Sequence, residues 1–266
     1  MFRILTSVCA AVVALSAAAC QAAIVDFNNW TLVEDPPHAN FTSSVDSASQ
    51  ITLRATGGPI PNATDIGYQS ANGNTPATST AGYAFSPSAD FSVAVDYSLS
   101  FASPVGGLAI GFGIGEDKNG ENSAGVVLLT VNGSAVFFGS AARINDVNQT
   151  PQGIAVAGQN IGRLIASYQS ATGDVTLGVS INGDDTPEGT ATFSAIQNSW
   201  NGGLLLTSFF LRSDNTILAA WTSGTADAEF SNFHVISGTP LAVPEPSTFG
   251  LAALALLGLI AHGYRR

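Results

Sequence analysis

The chain has 266 residues, with eight lysines and arginines against nineteen aspartates and glutamates, and a formal net charge of −11 at pH 7. That balance argues against nucleic acid and anionic membrane surfaces as partners, since both are held by a cationic face. The two cysteines, Cys9 and Cys20, both stand near the N-terminus, so the rest of the chain has no disulfide, no thiol nucleophile and no thiolate metal ligand.

The opening stretch MFRILTSVCAAVVALSAAACQAA carries one early positive charge, Arg3, then an apolar run from Val8 to Ala19 and small residues. This layout predicts a secretory signal peptide over residues 1–23, removed by signal peptidase after Ala22 or Ala23 to leave an N-terminus near Ile24. Cys20 offers a second route, a lipoprotein cut directly before it. Against that route, the position three residues earlier is Ala17, where a lipobox carries Leu or a similar residue. Within residues 24–242, five basic residues (Arg54, Lys118, Arg143, Arg163, Arg212) face eighteen acidic ones, all the acids but Glu245.

The central region alternates with period two, the signature of half-buried strands. In FSVAVDYSLSF the residues Phe91, Val93, Val95, Tyr97, Leu99 and Phe101 share one face. GLAIGFGI and AGVVLLTV follow as buried or half-buried strands. Leu164, Ala166 and Tyr168 alternate before a Ser-Ala-Thr-Gly-Asp turn, and Val175, Leu177, Val179 and Ile181 alternate after it, with Asn182-Gly183 as the next turn. GGLLLTSFFL reads as a further strand and AEFSNFHVIS closes the domain. No stretch of ten or more residues here has a helical period. The expected fold is all-β: an antiparallel two-sheet jelly-roll sandwich over residues 24–237, with a linker at 238–242.

The order of these signals resembles the concanavalin-A-like lectin/glucanase jelly roll. The Phe91–Phe101 strand, the glycine-rich GGLAIGFGIGEDKNGENSAGV, the hairpin ending in SING and the final AEFSNFHVIS carry the resemblance. It implies a sugar-binding domain, or a glycoside hydrolase or lyase. Glucanases of this fold place paired carboxylates on one strand, spaced close to Glu-x-Asp-x-x-Glu, so that both point into one cleft. No such motif is present, and the cluster from Glu116 to Glu121 has the Gly and Asn of a loop. A Gly-x-Ser-x-Gly elbow is also missing. Outside the tail the histidines are His38 and His234, and His234 falls in the last strand as a strand-face residue. The domain is therefore expected to be non-catalytic and to hold no zinc.

Calcium is the one cofactor the spacing allows. Asp117, Asn119 and Glu121 alternate as oxygen ligands do, although Asn122 stands where an EF-hand loop needs glycine. Asp184, Asp185 and Glu188 form a second acidic turn. Either cluster reads equally as a solvated acidic turn. For sugar binding the candidate is Trp200 in NSWNGG, with Asn198 and Asn201 beside it as hydrogen-bonding partners. The same ring could instead cap the sandwich end. Trp30 and Trp221 adjoin apolar strands and read as core or edge residues.

The chain ends VPEPSTFGLAALALLGLIAHGYRR. The apolar run predicts a transmembrane helix over about residues 249–264. At 1.5 Å per residue it spans about 24 Å, short for a hydrocarbon core of about 30 Å. Tyr264 would sit at the headgroups and Arg265 and Arg266 would reach phosphates, which places the C-terminus in the cytoplasm. Val243, Pro244, Glu245 and Pro246 precede the helix, and the basic pair follows it. This arrangement resembles the PEP-CTERM sorting signal of Gram-negative bacteria that make exopolysaccharide. The resemblance implies an exosortase as processing partner, a membrane-embedded cysteine transpeptidase that removes the tail. The precursor would then be anchored in the inner membrane with its ectodomain in the periplasm, and the product would pass to the envelope or extracellular matrix. Three readings of the ectodomain follow: a non-catalytic binder of exopolysaccharide, a secreted glycoside hydrolase or lyase, and a matrix protein without ligand.

Overall fold

A computed structural model describes residues 26–71, 82–116, 122–145, 147–196, 204–214 and 220–242. Residues 1–25, which include the stretch read as a signal peptide, and the tail from Val243 through Pro244, Glu245 and Pro246 to Arg265 and Arg266, lie outside the described residues. Among the described residues no helix is long and apolar enough to cross a membrane, and the one helical element is a short 3-10 turn at Phe27–Asn29.

The strands, in chain order, are β1 (Thr31–Asp35), β2 (Phe41–Ser47), β3 (Gln50–Thr56), β4 (Asp65–Gln69), β5 (Tyr83–Ala84) and β6 (Phe91–Val105). Next come β7 (Gly107–Gly115), β8 (Ser123–Val131), β9 (Ser134–Ile144), β10 (Val147–Asn148), β11 (Gln152–Ala157) and β12 (Ile161–Gln169). The last are β13 (Asp174–Ser180), β14 (Gly189–Phe193), β15 (Leu206–Ser213), β16 (Ser223–Ser237) and β17 (Leu241–Ala242). A larger, eight-stranded sheet runs β1-β4-β15-β7-β8-β9-β10, with β11 also paired to β9. A smaller, seven-stranded sheet runs β14-β13-β12-β6-β16-β3-β2, and β17 pairs with β5. All these pairings are antiparallel, as expected of the jelly roll.

Alternation in the sequence becomes burial in the fold. Phe91, Val93, Val95, Tyr97 and Leu99 point inward from β6 and are buried, while Phe101 is half-buried at the rim. From β12 and β13, Leu164, Ala166, Tyr168, Val175, Leu177 and Val179 join them. Ile181 departs from the pattern: β13 ends at Ser180, the chain bends away, and Ile181 is 41% exposed. The sheets meet through aromatic contacts, with Phe209 of the larger stacked on Phe230 of the smaller at 4.3 Å. Trp30 and Trp221 are both core residues, and the Trp221 indole donates to the Gly57 carbonyl at 2.8 Å. Within the stretch read as a linker, Leu241 pairs with Ala84 and Ala242 with Tyr83.

Candidate functional site

The outer face of the larger sheet has a feature that the smaller sheet lacks. Register places Gly139, Val127, Gly111, Phe210, Gly67 and Val33 in one row across β9, β8, β7, β15, β4 and β1. The next row is Ala141, Gly125, Gly113, Ser208, Gln69 and Thr31. Five glycines among the twelve positions of these two adjacent rows leave a shallow band, thin in side chains, that crosses the strands. One border is Phe137, Leu129, Ala109, Arg212, Asp65 and Asp35. The other is Arg143, Ser123, Gly115 and Leu206.

Close approach forces these glycines. A Cβ on Gly113 would stand 2.3 Å from the Ala124 carbonyl oxygen, and one on Gly111 would stand 2.4 Å from the Phe210 ring. The Phe210 ring thus lies on Gly111. In the same way the Phe137 ring reaches to 3.3 Å from where a Gly139 Cβ would be. Phe137 is 40% exposed while its neighbour Phe138 is buried in the core, because the strand alternates. Two aromatic rings therefore rest on the band, over glycines two strand intervals apart, or about 10 Å at 4.8 Å per interval.

Polar groups stand along the band. Gln69 is buried, and its Oε1 has no hydrogen-bond partner among the described residues. The Nε of Arg212 is likewise buried without a partner among the described residues. Burial pushes the Asp65 carboxyl from 3.8 up to about 6; Arg212 opposes the shift and Asp35 adds to it. At the far end, the Asn122 side chain donates to Glu116 at 2.8 Å and accepts from the Asn145 backbone N–H at 2.8 Å.

Asp117, Asn119 and Glu121, and likewise Asn198, Trp200 and Asn201, lie outside the described residues. Their anchors are described and adjacent. Segment 117–121 leaves and re-enters the chain beside Gly115 and Ser123, and segment 197–203 enters β15 beside Leu206, which pairs with Gly115. Both candidate segments therefore start from the same end of the larger sheet.

The second acidic turn is occupied by internal bonds. Asp184 accepts from the Thr186 N–H at 2.9 Å and the Ser180 hydroxyl at 3.2 Å. Glu188 accepts from the Ile181 N–H at 2.8 Å and from the Asn182 amide. Asp185 takes Arg163 Nη1 at 2.7 Å and His234 Nε2 at 2.9 Å. Burial would raise the Asp185 carboxyl, but the His234 and Arg163 hydrogen bonds and charges hold it below its ordinary value. His234 is a strand-face residue on the outside of the smaller sheet. Arg163, 8% exposed, also grips Asp96 through Nε and Nη2 at 2.6 and 3.2 Å. This clamp ties β6, β12 and β16 to the turn after β13. Among the described residues no cluster of three or more His, Cys, Asp or Glu is placed to hold a metal.

Sequence reasoning passed over Gln69, Asp65, Arg212, Phe137 and Phe210. The available signal was glycine or alanine at every second position in GLAIGFGIG, which marks a strand with one face almost stripped of side chains.

Fold and tail together define the class: an antiparallel jelly roll joined to a C-terminal processing signal. Residues 242–266 match the PEP-CTERM protein-sorting motif, so the chain is made as an exported precursor, anchored by its C-terminus and processed by an exosortase. None of the curated proteins compared matches the sequence. Among solved structures, an alginate lyase from Klebsiella pneumoniae is similar at 9% identity and a TM-score of 0.54, covering 82% of this chain and 98% of its own. A functionally unknown protein from Saccharomyces cerevisiae is similar at 12% identity and a TM-score of 0.50, covering 80% of this chain and 99% of its own. A legume lectin-like domain from Entamoeba histolytica has 10% identity and a TM-score of 0.43, covering 80% of this chain and 91% of its own. These likenesses concern the fold.

Proposed function

We propose that the ectodomain binds polysaccharide across the outer face of the larger sheet, without cleaving it, as an exosortase-sorted protein of the envelope or extracellular matrix. The observation that carries this reading is the glycine band with the Phe210 and Phe137 rings lying on it. A sugar chain presents flat apolar ring faces and a fringe of hydroxyls. The band offers aromatic faces for the first and the half-buried Ser208, Arg212 and Asp65 for the second. Trp200, with Asn198 and Asn201, belongs to the segment entering β15 at the band's end and would extend the platform. Asp117, Asn119 and Glu121 would order the neighbouring segment by taking calcium. Exopolysaccharide of the producing cell is the ligand class that fits an exported matrix protein.

The test is a glycan array on residues 24–242, repeated with Phe137→Ala. Binding by the parent that drops about 5- to 30-fold in the variant supports the site, since an aromatic contact contributes about 1–2 kcal/mol. No binding to any glycan by the parent overturns it. Titration calorimetry with millimolar calcium tests the ion, and the absence of heat removes it. One observation favours the hydrolase or lyase reading: Asp65, titrating near pH 6 beside Asp35 and Arg212, has the carboxyl of a general acid. Release of reducing or unsaturated sugar ends that Asp65→Asn abolishes would replace binding by catalysis.

A further inference from the structure

The sorting motif begins inside the folded domain. Its first matched residue, Ala242, is the second residue of β17, and it pairs with Tyr83 while Leu241 pairs with Ala84. We propose that β17 is a latch on processing: Leu241 and Ala242 must leave β5 before the exosortase can engage Val243–Pro246. This rests on the sorting reading of the tail.

The partner strand is anchored in the core. Tyr83, Ala84 and Phe85 are at most 1% exposed. The Tyr83 N–H donates to the Ser70 carbonyl at 2.8 Å, and its hydroxyl meets Thr207 Oγ1 at 2.9 Å. Phe85 exchanges two backbone hydrogen bonds with Leu205, both 2.8 Å, and stacks on Phe91 at 4.0 Å. The chain before β17 is also pinned. At Gly238, φ is +91°, and a Cβ there would stand 2.6 Å from Phe91 Cβ, so the turn leaving β16 is pressed onto β6. Between these fixed points β17 is two residues long, and Leu241 is 42% exposed. It is the weakest attachment on this path.

An enzyme that reads an extended chain does so mainly through backbone hydrogen bonds. Pro244 and Pro246 have no N–H to offer. The nearest donors are those of Val243 and Glu245, and upstream those of Ala242 and Leu241; the Tyr83 N–H is given to Ser70, so the ladder bonds of β17 run between Leu241 and Ala84, and it is the Leu241 donor that β5 occupies. Length adds to the constraint. The seven steps from Ala242 to Phe249 span at most about 25 Å, so the folded domain stays close to the bilayer throughout. Freeing the chain back to Gly238 adds about 14 Å and exposes the Leu241 donor.

The test uses the full chain in exosortase-containing cells, with a cysteine pair made by Ala84→Cys and Leu241→Cys. Directly opposed antiparallel residues lie within disulfide reach. Both natural cysteines are in the signal-peptide region, so the engineered pair has no competitor once that region is removed. Tail removal should slow at least tenfold in the oxidised form, and reduction and each single variant should restore the parent rate. A Gly-Ser-Gly-Ser insertion between Ala242 and Val243, which supplies free backbone without undocking, should speed removal about threefold to tenfold, the factor that one net backbone hydrogen bond represents. An unchanged or raised melting temperature of the oxidised form shows that slow trimming is not misfolding. Trimming of the oxidised form at the parent rate overturns the latch. If replacement of Pro244, Glu245 and Pro246 by alanine also leaves trimming unchanged, the sorting reading itself fails. If that replacement blocks trimming, only the latch fails.

Discussion

Replacing Asp65 with asparagine should stabilise the ectodomain at neutral pH and do little at pH 4. Burial raises the Asp65 carboxyl from 3.8 in the unfolded chain to about 6 in the fold. A carboxyl whose folded value lies above its unfolded value binds its proton more tightly when native. Stability is therefore greatest below the unfolded value, falls as pH rises between about 4 and 6, and stays low above that. At 1.36 kcal/mol for each pH step, the loss on ionisation is at most about 3 kcal/mol. Arg212 and Asp35, paired in the same row, can shift as the charge appears, so a measured effect of about 1–3 kcal/mol is expected. For a domain of this size that corresponds to a rise in melting temperature of about 2–10 °C for Asp65→Asn at pH 7. Urea unfolding of residues 24–242 at half-unit steps from pH 4 to 7, parent against variant, reads it directly. Parallel stability–pH curves would refute the reasoning and place Asp65 in contact with solvent.

Alanine at Pro244, Glu245 and Pro246 together should leave export intact and hold the protein in the inner membrane at its longer, signal-cleaved length, as seen by fractionation and mass spectrometry. Arg163→Met should cost about 1–3 kcal/mol in urea unfolding, because it leaves Asp96 and Asp185 facing each other's strands without their shared cation; an unchanged midpoint would show that the clamp is idle. Trp200→Ala should weaken glycan binding about 5- to 30-fold with the melting temperature unmoved, whereas a large fall in melting temperature would make Trp200 a cap over the sandwich end. Reducing agent should not alter the melting temperature of residues 24–242, since no cysteine remains; a shift would require an unrecognised redox partner.

Much of the architecture could be read along the chain. Phe91, Val93, Val95, Tyr97 and Leu99 alternate because β6 has one face in the core, and a period of two needs only neighbours in sequence to be seen. The Ser-Ala-Thr-Gly-Asp turn and the tail signal are equally local. Ile181 shows the limit, since it continues the alternation after the strand has already ended at Ser180. The candidate site was less legible. Trp200 and the Asp117–Glu121 loop attract notice as unusual residues, whereas the band is made of glycines, which have no side chain to notice. Gln69 and Asp65 acquire meaning from Ser208 and Arg212, which stand beside them in the fold and about 140 residues away in the chain.

By itself the sequence determined that this is an exported, cysteine-free, acidic β-domain with a processing signal at its end, because period, composition and terminal signals are short-range properties. Tertiary structure alone decided which strands share a sheet and in what register. It therefore alone decided that glycines from four strands line up as one band, that Arg163 joins Asp96, Asp185 and His234, and that the sorting motif starts from a strand held by β5. Those outcomes depend on pairings such as β6 with β16 and β4 with β15, each closing a loop of more than a hundred residues. Such closures are selected by the packing of the whole core, and no local pattern encodes them.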